Sequence, residues 1–356
     1  MMTDKIQNQN LYFAAANSRY GFVSFFDDIF STDELDYLYI IKGGSGTGKS
    51  RLMKEGGSQS EARGERVEYF YCSSDPKSLD GIILCDRKLG IIDGTAPHVA
   101  EPRLPGCFDE IINLGMFWDS ACLRENKEKI SGICAKKKEL YSCAYSYLAV
   151  AGKLCSICDS ILLPSVKQDK LISWAERFCK RFPKSDSPRE KTRLTESISY
   201  LGRHDLSSFY NTAGEHYVIA DAPRISAFVF EKIREAARAR GLYFTVSYDP
   251  LDTKKINGLY FNDSGVSVTL AGAEGVRPGD SVINTERFFE RDSFRELRSR
   301  VRYMSKCASL MTGAAVDTMK RISELHSAAE EIYISAMDFG AKEEYTQNLI
   351  NCIFAD

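Results

Sequence analysis

Short apolar runs alternate with long stretches of helical spacing along this chain of 356 residues, an order that predicts an α/β protein. Tyr37-Leu38-Tyr39-Ile40-Ile41 is rich in β-favouring residues and bounded by polar ones, so it predicts a strand. Val67 to Tyr71 predicts a second, and Leu89-Gly90-Ile91-Ile92-Asp93 a third that ends in an acid. Between 117 and 162, Ile130, Ile133, Leu140, Ala144, Tyr147, Ala151, Leu154 and Cys158 recur at threes, fours and sevens. That spacing predicts a long helix with one core-facing stripe. Phe294, Leu297, Val301, Met304, Ala308, Met311, Ala315, Met319 and Ile322 draw a similar stripe between 286 and 336.

The order of these patterns repeats. Phe22-Val23-Ser24-Phe25-Phe26-Asp27 is echoed by Leu206-Ser207-Ser208-Phe209-Tyr210-Asn211, and the strand from Tyr37 by Tyr217-Val218-Ile219-Ala220. Val67 to Tyr71 aligns with Leu242 to Tyr248, and Leu79-Asp80-Gly81-Ile82 with Ile256-Asn257-Gly258-Leu259. A charged stretch containing proline and serine, Lys180 to Arg189, separates the halves and reads as a linker or exposed loop. The expected organisation is therefore residues 1–180, a linker at 181–204, and a second domain at 205–356.

Only the first half carries a phosphate-binding pattern. Gly43-Gly44-Ser45-Gly46-Thr47-Gly48-Lys49-Ser50 matches G-x-x-x-x-G-K-[ST], the Walker A sequence, directly after a predicted strand and before a predicted helix. Glycines let the backbone turn its N–H groups towards phosphate oxygens. Lysine supplies a mobile charge for the β- and γ-phosphates, the serine hydroxyl suits Mg²⁺, and the helix adds its positive end. Gly56-Gly57 falls inside that helix, each glycine costing about 1 kcal/mol relative to alanine, which predicts a short or kinked element. In the second half the corresponding stretch is Asp221-Ala222-Pro223-Arg224-Ile225-Ser226-Ala227-Phe228. It has neither glycine nor lysine, and its proline lacks a backbone donor, so it reads as a disarmed copy.

A P-loop site needs an acid at the end of a neighbouring strand to serve the metal. Asp93 is the first choice, with Asp75 in Cys72-Ser73-Ser74-Asp75-Pro76 and Asp80 in Ser78-Leu79-Asp80-Gly81 as alternatives. Asp75 is also a candidate for orienting water. The corresponding Gly265-Val266-Ser267-Val268-Thr269 of the second half has no acid. His98, just beyond Asp93-Gly94-Thr95-Ala96-Pro97, lies where sites of open α/β sheets are built, and is a candidate for contacting the γ-phosphate, reporting its loss or acting on a second substrate, with a surface loop residue as the alternative.

Gly43 to Ser50, Cys72 to Gly81, Asp93 to His98, Pro105-Gly106, Asn113-Leu114-Gly115 and the entry segment Gly21 to Asp27 together resemble a family of bacterial tandem-domain P-loop ATPases. The likeness covers the first half well and the second as a faded pattern. Members carry two P-loop domains, each with its own phosphate loop. This chain departs from them in its second loop and in Arg51, where Ser or Thr would be usual. The resemblance implies ATPase activity and names no substrate.

Bulk properties narrow the partners. Lys+Arg at 47 against Asp+Glu at 49 leave no strong net field to draw nucleic acid or an anionic membrane. No run of about 20 apolar residues suggests a membrane span, and Met1 to Ser18 lacks the pattern of a secretory signal. Eleven cysteines, an odd number, fit a reducing compartment, so the expected location is cytoplasmic. Cys155-Ser156-Ile157-Cys158 lacks the further ligands zinc needs and reads as part of a helix face. His204, His216 and His326 share no metal spacing. Arg224, Arg234, Arg238 and Arg240 are read as a solvated helix face, with a basic patch or an arginine finger as alternatives.

The expectation is two tandem P-loop NTPase-like three-layer α/β domains with parallel sheets and long helical insertions. In the first, Gly43, Gly44, Ser45, Gly46, Thr47, Gly48, Lys49, Ser50 and Arg51 bind ATP, and Ser50 with Asp93 serves Mg²⁺. Lys49, Asp93, Asp75 and His98 are the candidate catalytic residues. ATP hydrolysis coupled to conformational change is the leading function. A small-molecule or nucleotide kinase, and a nucleotide-gated binding module without turnover, are the alternatives.

Overall fold

The computed structural model describes residues 10–221, 224–271 and 275–355, with the backbone alone over 291–295. In chain order its main elements are β1 (Tyr37–Lys42), α1 (Lys49–Ala62), β2 (Val67–Tyr71), β3 (Leu79–Leu84), β4 (Leu89–Asp93), β5 (Asp109–Asn113), α2 (Lys127–Leu162) and α3 (Gln168–Cys179). There follow β6 (Glu190–Thr192), β7 (Glu215–Ala220), α4 (Ser226–Arg240), β8 (Phe244–Tyr248), β9 (Ile256–Phe261), β10 (Val266–Leu270), β11 (Ser281–Asn284), α5 (Arg291–Ser335) and α6 (Phe339–Ile353).

The chain forms two compact units, and neither is one continuous segment. One holds Ser24–Ala144, Ser199–Leu201 and the chain from Val316; the other holds the chain up to Val23, Tyr145–Ile198 and Gly202–Ala315. This division differs from a cut at 181–204, because the first part of α2 and the last part of α5 pack with the first unit and their remainders with the second. The segment read as a linker is irregular only to Arg189. Glu190–Thr192 is a strand paired in parallel with β8, and Glu196–Ser199 pairs with Gly202–Asp205 in a two-stranded sheet.

In the first unit the strands run in the order β2-β3-β4-β1-β5. β1 lies parallel to β4 and β5, whereas β3 is antiparallel to both β2 and β4. The expected parallel sheet is thus mixed. The physical reason is connection length: only residues 72–78 and 85–88 join β2 to β3 and β3 to β4, and a parallel crossover needs a dozen residues or more. α1 packs on β2, β3 and β4 over a core of Ile40, Ile41, Leu52, Met53, Phe70, Ile82, Ile91 and Ile92, all buried. The helix does not stop at Gly56-Gly57; it runs unbroken from Lys49 to Ala62. A Cβ on Gly57 would come within 2.5 Å of the Tyr69 hydroxyl, so that glycine lets the helix approach β2.

The second unit repeats this plan. Its sheet runs β6-β8-β9-β10-β7-β11, with β7 parallel to β10 and β11 and β9 antiparallel to both neighbours. A register shift recurs at corresponding points, at Phe70/Tyr71 in one sheet and at Ser247/Tyr248 in the other. The core gathers Phe178, Ile219, Phe230, Ile233, Val246, Leu259 and Val268. Of the stripe on α5, Val301, Met304, Ala308, Ala315, Met319 and Ile322 are buried; the side chain of Phe294 falls outside the described residues.

The helix Lys127–Ser165 is long and apolar enough, by length and composition alone, to cross a membrane, which the search for one uninterrupted apolar run does not detect. Its buried residues Leu140, Ala144, Leu148, Ala151, Cys158 and Leu162 keep the spacing of a core-facing stripe. The apolar half also carries Lys153 and Asp159, and Asp159 forms an ion pair with Lys255. All eleven cysteines are free thiols, Cys155 and Cys158 among them.

Candidate functional site

The glycine-rich segment of the first unit is a loop between β1 and α1. Gly46 and Gly48 have φ of +74° and +86°, a left-handed conformation that costs glycine little. The loop turns the chain so that α1 begins at Lys49. Lys49 does not extend away from it: its Nζ donates to the carbonyls of Gly43 at 2.8 Å and Gly44 at 2.7 Å. Thr47 closes the loop from inside, donating from Oγ1 to the Gly44 carbonyl. Ser50 Oγ accepts the backbone N–H of Leu79 at 3.0 Å, tying the first turn of α1 to the start of β3. Arg51 points elsewhere, pairing with Glu343 at 2.6 Å on the exposed side.

Asp93 pairs in register with Ile41 of β1, so the end of β4 stands beside the loop. One Asp93 oxygen accepts the backbone N–H and hydroxyl of Thr95, and the other lies 3.5 Å from Lys49 Nζ. Asp80 and His98 join it: single ligand-type atoms of Asp80, Asp93 and His98 lie within 4.8 Å of one another. His98 is buried, stacks on Phe26 with ring centres 4.7 Å apart, and has Nε2 3.7 Å from Asp80. Burial pushes the Asp80 carboxyl up to about 6; His98 offsets this and the nearby Asp93 adds to it. Asp75 stands apart from the cluster, accepting the N–H of Lys77 and the hydroxyl of Tyr200.

The far wall of the loop comes from residues remote in sequence. The turn between α5 and α6 is stitched to the segment after β5: Asp119 N–H donates to the Ala336 carbonyl at 2.7 Å, and Asp338 N–H to that of Phe117 at 2.9 Å. This places the end of α5 against the glycines. A Cβ on Gly44 would meet Trp118 and Tyr333 at 3.2 and 3.3 Å, and one on Gly46 would meet Ile334 at 2.7 Å. Buried Lys342 of α6 comes close to Gly48. His326 Nε2 lies 3.4 Å from Ser45 Oγ, and its Nδ1 lies 3.0 Å from Lys137 Nζ on α2.

Sequence reasoning singled out neither Lys137 nor Lys342 and set His326 aside for lack of a metal spacing. The available signal was weak: each interrupts an otherwise helical pattern with one more basic residue. Tyr141, one turn after Lys137 and on the same face of α2, hydrogen-bonds Ser74.

The second unit treats the corresponding place differently. Asp221 follows β7, and its carboxylate accepts the N–H groups of Ile225 at 2.7 Å and Ser226 at 2.8 Å. Thr285 Oγ1 donates to it at 3.1 Å. A side-chain anion thus sits on the amides at the start of α4, where a helix end favours negative charge. Ala222 and Pro223 of this stretch lie outside the described residues. The arginines of α4 serve their own unit: Arg234 and Arg238 both bind Glu190, and Arg240 binds the Phe182 carbonyl. That argues against the arginine-finger alternative for these three.

The chain matches no protein-family model, no curated protein and no solved structure. What the structure defines is the coarser class, an α/β protein with two sheet-bearing units and mixed, mostly parallel sheets.

Proposed function

We propose that this chain is an ATP-binding P-loop NTPase of tandem three-layer domains, in which the first unit binds MgATP and the second is a disarmed copy. The observation that carries the reading is the conjunction at the end of β1. A glycine loop leads into a helix whose first residue, Lys49, bonds to the loop's own carbonyls and lies 3.5 Å from the acid ending the adjacent strand. Polyphosphate oxygens offer Lys49 better acceptors than the neutral carbonyls of Gly43 and Gly44. Ser50 and Asp93 supply oxygen donors of the type Mg²⁺ prefers. Loop amides and Lys49 would hold the phosphates and Ser50 with Asp93 would hold Mg²⁺, which when bound would offset phosphate charge; water would be the default acceptor for in-line displacement. His98 and Asp80 adjoin Asp93.

A second reading, a nucleotide-gated module with little turnover, draws on the closeness of α5. Gly44 and Gly46 have side chains of that helix packed on them, so nucleotide entry and helix position are linked.

Thermal unfolding with MgATP, MgGTP and MgADP tests the proposal, with Lys49→Ala beside the wild type. Nucleotide at 100 times its Kd should stabilise the wild type by about 2.7 kcal/mol and leave Lys49→Ala unmoved. Equal responses of the two proteins would remove Lys49 from the site, and no response to any nucleotide would remove the function. Phosphate release measured on the same samples separates NTPase from gated module.

A further inference from the structure

We propose that Lys137, held in position by His326, reads the terminal phosphate of the bound nucleoside triphosphate, an inference that rests on the nucleotide reading above. Lys137 and His326 reach the loop from two helices of the same unit, α2 and α5, and join in one chain of contacts: Lys137 Nζ, His326 Nδ1, His326 Nε2, Ser45 Oγ. The chemistry of the donors fixes its direction. An ammonium group only donates, so His326 Nδ1 accepts; the ring proton therefore sits on Nε2 and is donated to Ser45. His326 is thereby a neutral imidazole that orients Lys137 and anchors it to the third residue of the glycine loop.

The electrostatics agree with the geometry. Burial holds the Lys137 ammonium below the ordinary lysine range. Burial also lowers His326, and Lys137 and Lys49 lower it further, against the opposing pull of Asp75. Lys137 is thus a half-buried ammonium held on a neutral imidazole, and an anion that joins it offsets the cost of its burial. A triphosphate supplies that anion. Lys49 approaches from the helix side of the loop and Lys137 from the α2 side, so the extra phosphate of a triphosphate meets a charge that a diphosphate does not need. Tyr141, bonded to Ser74, fixes the same face of α2 to the segment between β2 and β3, which gives phosphate loss a route to the helix.

The test is calorimetric binding of the β,γ-imido analogue of ATP and of ADP, both with Mg²⁺, to the full chain. Lys137→Met keeps the alkyl stem and removes the charge. It should weaken the triphosphate analogue by roughly tenfold or more while changing ADP by less than about threefold. Lys137→Arg should restore most of the discrimination. His326→Gln should lose part of it, which keeps the inference testable if Lys137→Met does not fold. Equal weakening of both nucleotides, or an unchanged ratio, would overturn the role of Lys137 while leaving the nucleotide site intact. Binding of neither nucleotide by the wild type would instead fell the nucleotide reading, and this inference with it.

Discussion

Single residues decide whether the loop can exist beside its helix. Gly46 combines a left-handed φ of +74° with a Cβ position 2.7 Å from Ile334, so Gly46→Ala strains the backbone and pushes on α5 together. The expected loss is about 1–3 kcal/mol in denaturant unfolding. An unchanged midpoint would mean that α5 does not pack on the loop as described. The glycine pattern, the lysine and the acid of β4 were legible in the sequence because their chemistry depends on local order along the chain. The clustering of Asp80 with Asp93 and His98 was half legible: all three were candidates, but nothing in their spacing says that a strand pair joins Asp80 to them and leaves Asp75 outside. His326 and Lys137 were not legible at all, since 189 positions separate them and only the packing of two helices makes them neighbours.

Elements were easier to read than their directions. Apolar runs marked the strands and heptad-like stripes marked the long helices, yet the sheets came out mixed, because strand direction is set by the length of the connection. The short pairing of Glu196–Ser199 with Gly202–Asp205 escaped notice inside a charged, polar stretch. Its stability rests on charge: Arg203 bonds to both Glu196 and Asp249, and Asn257 also donates to Glu196. Burial opposes ionisation of Asp249, but Arg203 and nearby backbone N–H groups hold its carboxyl below the usual range. A lowered folded-state value contributes stability above the unfolded pKa, and that contribution is lost as pH falls through the folded one. Arg203→Ala should therefore cost most near neutral pH, about 1–3 kcal/mol after allowance for the half-exposed guanidinium, and less as acid protonates the two carboxyls. Chemical unfolding at pH 7 and at about pH 2, below the lowered Asp249 value, checks this; a loss independent of pH would mean that Arg203 acts by packing alone.

For the whole molecule, the duplication visible in faint sequence echoes is repeated in strand order, strand direction and the position of a register shift. The two halves differ at the turn after the first strand of each plan, where one has glycines and a lysine and the other has Asp221. Titration calorimetry should find one nucleotide per chain, and a second site of comparable affinity would contradict the account of Asp221. With its own carboxylate on the helix amides, the second unit behaves as a domain whose ligand is covalently attached and never leaves. That anion is part of the chain itself, so dialysis or a change of added ligand should leave the start of α4 as it is.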